Sequence, residues 1–70
     1  MDAKAKIRSA LKQIMSDGEA NACTIWKGWD VGTGLAGWHY QRFNQTATYI
    51  GNNLDQALAW IAELAEERQL

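Results

Sequence analysis

Between Trp26 and Tyr40 the chain carries three of its four tryptophans and four of its six glycines. No other stretch restricts the fold as strongly. An indole needs a large packing surface, roughly 150–250 Å² when buried, while glycine opens backbone conformations closed to other residues. The segment Trp26-Lys27-Gly28-Trp29-Asp30-Val31-Gly32-Thr33-Gly34-Leu35-Ala36-Gly37-Trp38-His39-Tyr40 therefore reads as two strand ends joined by a glycine-rich loop over 30–37. With 70 residues, the chain forms one domain spanning 1–70. A domain of this size buries only about 60% of its unfolded surface, so its aromatic residues must supply much of the core density.

The flanks of this segment have helical periodicity. Ala3, Ile7, Ala10, Leu11, Ile14 and Met15 fall on one stripe and predict a helix over 3–15, which Asp17-Gly18 would stop. Lys4, Arg8 and Lys12 recur every four residues as a basic ridge, whose ordinary meaning is a solvated flank. At the other end Leu54, Ala57, Leu58, Ile61, Leu64 and Ala65 trace a near-ideal stripe, with Trp60 at its edge. Asn53 and Gln56 have the spacing of a capping pair that opens this helix. Between the helices, β-branched and aromatic residues predict strands over 22–29, 38–43 and 46–50. Asn44-Gln45 makes a tight connection and Asp30 to Gly37 a looser one. The expected fold is α+β: a three-stranded antiparallel meander with one helix before it and one after, both packed on one face of the sheet.

Composition excludes several functions. The formal net charge is −1, which argues against a general affinity for nucleic acid or anionic membrane. Cys23 is the single cysteine, so neither an internal disulfide nor a cysteine-rich zinc site can be built. No apolar run reaches membrane-spanning length and the charged start does not resemble a secretory signal, so the expected location is the cytoplasm. Gly32 to Gly37 spells G-x-G-x-x-G, but Trp38-His39-Tyr40 after it reads as strand rather than helix, so no dinucleotide site is expected. His39 has no histidine or cysteine near it in sequence and is expected to be an ordinary strand residue. No catalytic residues, metal site or cofactor are expected, and the chain reads as non-enzymatic.

The order helix, three strands, helix resembles that of double-stranded-RNA-binding domains, as does the succession of strand, turn and alanine-bearing helix from Thr48 to Leu64. That resemblance implies a lysine cluster at the start of the last helix to grip phosphate. This helix begins Asn53-Leu54-Asp55-Gln56 instead, and the implied role is not carried over. A three-stranded sheet followed by a helix is also similar to small domains that lay a sheet in the DNA major groove. Those need several arginines on the sheet, and the expected strands offer Lys27 and Arg42.

Alternation along the strands points to a function. If Ile25, Trp38, Tyr40 and Ile50 face the helices, then Trp26, Phe43 and Tyr49 are left on the open face, with His39 and Gln41 among them; turning a strand over only exchanges which aromatics are left, since both faces carry them. An exposed aromatic patch of this kind ordinarily marks an interface. Residues 1–12 carry a net charge of +3 and residues 53–70 a net −3, and in a three-stranded meander the two ends lie apart. A second copy could neutralise them. The expected function is a protein-interaction module, adaptor or regulatory, acting on a protein partner or as a homodimer through Trp26, Lys27, His39, Gln41, Arg42, Phe43 and Tyr49. The alternative is a nucleic-acid-binding module that stacks bases on Trp26, Tyr49 and Phe43, with Lys27 and Arg42 near phosphate.

Overall fold

The computed structural model of the chain describes residues 2–69. The elements follow in the order α1 (Ala3–Leu11), α2 (Asp17–Ala22), β1 (Thr24–Asp30), β2 (Leu35–Gln41), β3 (Thr48–Gly51) and α3 (Leu54–Gln69). The strands form one antiparallel sheet in the order β1-β2-β3. Ile25, Trp38, Tyr40 and Ile50 join Ile7, Leu11 and Ile14 from the α1 segment and Ala57, Ile61 and Ala65 from α3 in a single core. The helix–meander–helix architecture is that expected from the sequence, and of the two strand faces that alternation left open, the one carrying Ile25, Trp38, Tyr40 and Ile50 is turned to the core.

The first helix differs from expectation. It ends at Leu11 rather than Met15, and the next three amides bond to carbonyls three residues back, a tighter winding that exhausts the helix. Ser16 then starts a second helix, its hydroxyl oxygen accepting from the Glu19 amide at 3.2 Å and donating to the Glu19 carboxylate at 3.0 Å. Ser16-x-x-Glu19 has the spacing of a capping box, with the Glu19 carboxylate held by the Ser16 hydroxyl. Asp17-Gly18, expected to stop a helix, forms the first turn of one. Arg8 does not belong to a solvated ridge either. Its Nη1 donates to the carbonyls of Ala20, Asn21 and Cys23 at 2.8, 2.9 and 3.0 Å, groups at and just past the end of α2.

The two strand connections also exchange character. The glycine-rich loop is a tight turn over 31–34, in which Asp30 accepts from the amides of Gly32 and Thr33 and the Gly34 amide returns to the Asp30 carbonyl at 2.8 Å. Asp30 thereby organises the turn, and Gly34, at φ +70, supplies its left-handed residue. The β2–β3 connection is the longer one, spanning 42–47. It holds Asn44 at φ 59, with the Gln45 amide bonded to the Arg42 carbonyl. The start of α3 follows the sequence: Asn53 Oδ1 accepts from the Gln56 amide at 2.9 Å, and Gln56 Oε1 accepts from the Asn52 amide at 2.8 Å.

Candidate functional site: the bent hairpin

The β1–β2 hairpin pairs Trp26 with His39, Gly28 with Gly37 and Asp30 with Leu35. His39 stands four residues from Leu35, about 13 Å along a straight strand at ~3.3 Å per residue. Yet Thr33, beyond Leu35, places its hydroxyl 2.8 Å from His39 Nε2. The hairpin must therefore fold back over the open face of the sheet. The opposed glycines Gly28 and Gly37, at φ +156 and +148, mark where it bends. Gly37 is also the point of closest packing: a Cβ there would lie 2.5 Å from the Gly51 carbonyl oxygen and 2.9 Å from Tyr49 Cε1.

Under the folded tip His39 is completely buried. The Trp26 ring stacks on it at 5.2 Å and an interplanar angle of 5°, and Tyr49 meets it edge-on at 5.4 Å. The Gly37 carbonyl can only accept, so His39 Nδ1 donates to it at 3.0 Å. In the neutral ring Nε2 then accepts from the Thr33 hydroxyl, which itself accepts from the Leu35 amide at 3.3 Å. Both ring nitrogens are satisfied, as burial requires. Replacing Thr33 by valine keeps the branched shape and removes the donor to Nε2. We expect this to cost ~1–3 kcal/mol in urea unfolding, and an unchanged midpoint would show that the hydroxyl does not hold the tip.

The residues expected on one interaction surface are divided by this arrangement. Trp26, His39 and Tyr49 do come together on the open face, with Gln41 at its end. However, His39 is inaccessible, and Trp26 and Tyr49 are half-buried against it. Lys27 pairs with Trp38, which places it on the opposite side of β1 from Trp26. Arg42 and Phe43 lie past the end of β2, beside a hollow of about 150 Å³ lined also by Glu19, Ala22 and Gln45. There Arg42 Nη2 meets Glu19 Oε2 at 3.5 Å, its Nε is buried without an acceptor, and Phe43 is 84% exposed.

Among the described residues the other large apolar side chains in solvent are Trp29, 66% exposed, Val31, 90%, and Leu35, 45%, all on the hairpin tip. Sequence reasoning missed them because Trp29 stands at the end of an expected strand on the parity of Ile25, with no exposure assigned to it, and Val31 and Leu35 fall in the expected loop over 30–37. The signal was the glycine between Ile25 and Trp29: past the bend at Gly28 there is no helix for an inward residue to pack against.

Cys23 is buried in the core with its sulfur 3.6 Å from Met15 Sδ. Burial pushes its thiol above the ordinary range, against the opposing pull of Arg42 and Arg8. That environment suits a packing residue rather than a nucleophile. Among the described residues no three His, Cys, Asp or Glu side chains are grouped to hold a metal ion, and no helix is long and apolar enough to cross a membrane. No protein-family profile, curated protein or solved structure matches this chain.

Proposed function

We propose that the chain is a non-enzymatic protein-interaction module whose contact surface is the tip of the β1–β2 hairpin. The observation that supports this is the exposure of Trp29, Val31 and Leu35 at the end of a hairpin braced by the Thr33–His39 bond. Tryptophan is among the residues that dominate binding energy when buried at an interface. A braced tip also loses little conformational freedom on docking. The contact surface thus moves from the open face to the tip, because the open-face aromatics spend their rings on one another.

The base-stacking alternative has less support: Trp26 and Tyr49 are engaged by His39, and Arg42 is engaged by Glu19. The two readings separate on comparing the wild type with the double substitution Trp29→Ser, Val31→Ser. The interaction reading expects the wild type to gain mass with concentration or to retain a protein partner, and the tip variant to lose either behaviour. Identical behaviour of the two proteins would overturn it. So would micromolar binding of single-stranded DNA or RNA that disappears as salt rises.

A further inference from the structure

Resting on that reading of the tip, we infer that its partner is a second copy of the same chain, docked head to tail, the tip of one copy seated on the outer face of α3 of the next. The receiving surface is a hollow of about 230 Å³ lined by Trp60, Glu63, Leu64 and Glu67. Their spacing of three, four and seven residues sets them on one face of α3. Trp60 and Leu64 are half-buried and form an apolar floor, while Glu63 and Glu67 are exposed on its rim. No cation among the described residues pairs with either carboxylate.

The tip has the complementary character. Trp29 and Val31 are its apolar part; Asp30 between them turns its carboxylate onto the Gly32 and Thr33 amides, and Lys27, exposed just before the bend and on the same side of β1 as Trp29, is the cation beside it. An apolar knob with a lysine beside it matches an apolar hollow rimmed by two glutamates, and both belong to one sequence. This is also where the excess of acid in residues 53–70 finds an opposite charge.

The two surfaces cannot meet within a chain. Gly51 lies opposite Trp38, next to the bend, and a Cβ on it would be 2.7 Å from the Ala57 amide, so α3 starts at the bent end of the hairpin. It then runs away from the tip: Trp60 lies 6.2 Å from Tyr40, two residues further along β2 from the bend than Trp38, and Arg68 reaches the Ile14 carbonyl. Tip and hollow thus lie at opposite ends of the molecule. Contact between unlike surfaces at opposite ends is heterologous and builds rows or rings rather than closed two-fold dimers. The contact is small. One tryptophan and its neighbours stay well under the ~1,200 Å² at which stable specific interfaces begin, so the association belongs with the weak, transient ones.

Sedimentation of the purified protein from about 10 µM to about 1 mM tests this. The wild type should grow in mass beyond a dimer. The tip variant Trp29→Ser, Val31→Ser and the hollow variant Glu63→Lys, Glu67→Lys should each associate at least about tenfold more weakly, as loss of a central anchor or of its charge match requires. All four positions are at the surface, and circular dichroism should show the wild-type fold in both. Mixing the two variants supplies the decisive reading. Each retains the half the other lacks, so the mixture should form one-to-one pairs and stop there. Lys27→Glu should weaken association in the wild type and restore it in the hollow variant. A wild type that stays monomeric throughout overturns the second-copy inference alone, because the tip variant could still lose a different protein. Variants that fail to complement, or a mass that stops at two, likewise overturn the head-to-tail arrangement. Association unchanged in the tip variant would overturn the tip reading as well.

Discussion

Gly37→Ala should cost the domain ~2–6 kcal/mol, a large share of its stability. Two costs add at this position. At φ +148 a side chain is strained wherever it points, which costs ~1–3 kcal/mol. The new methyl would also fall 2.5 Å from the Gly51 carbonyl oxygen and 3.1 Å from Asn52 Cα, both backbone atoms that cannot swing aside. Overpacking of that kind costs another ~1–3 kcal/mol. A domain of 70 residues has roughly 4–10 kcal/mol of stability in all, at ~0.05–0.15 kcal/mol per residue. Gly18→Ala provides the control: nothing lies within 4 Å of a Cβ there, and in α2 the change should be neutral or mildly stabilising. Urea unfolding followed by tryptophan fluorescence compares the two. If Gly37→Ala melts within about 1 kcal/mol of wild type, the bend is not held as described.

Ile61→Ala should cost ~2–5 kcal/mol. Ile61 is fully buried at the centre of the α3 stripe, in the same cluster as Ile7 and Leu11 of α1. Deleting its three outer carbons therefore opens a cavity where the two helices share a core. Glu63→Ala, two residues on and exposed, should change stability by less than ~0.5 kcal/mol. Equal melting of the two variants would mean that the stripe faces solvent.

The stripe from Leu54 to Ala65 was readable from the sequence because burial there repeats with the helical period. Strand alternation likewise separated Ile25 from Trp26 and Ile50 from Tyr49 and grouped Trp38 with Tyr40, but which group faces the helices was not legible, because both faces carry aromatics. The reasoning failed where one residue carries two possible messages. Gly18 ends helices in general, but after Ser16 and before Glu19 it lies inside the first turn of one. The glycines at 32, 34 and 37 look like one flexible loop, although Gly34 serves a tight turn and Gly37 a bend. The candidate site was illegible for a related reason. Alternation assigns residues to faces of a flat sheet. When the hairpin folds at Gly28 and Gly37, His39 on the supposedly open face becomes enclosed and Trp29 on the supposedly closed face becomes exposed.

The bond from Arg68 to the Ile14 carbonyl, at 2.6 Å, spans 54 residues, and α1 and α3 supply the two walls of one core. Contacts so distant in sequence slow folding, because the intervening loop must be closed before they can form. During synthesis α1 and α2 precede the rest of the fold and can assemble locally around Arg8, but the core around α1 stays open on one side until α3 has followed. Until then Ile7, Leu11 and Ile14 lack the α3 wall of their core. That interval, rather than the folded state, is when this protein is most exposed to aggregation and to capture by chaperones.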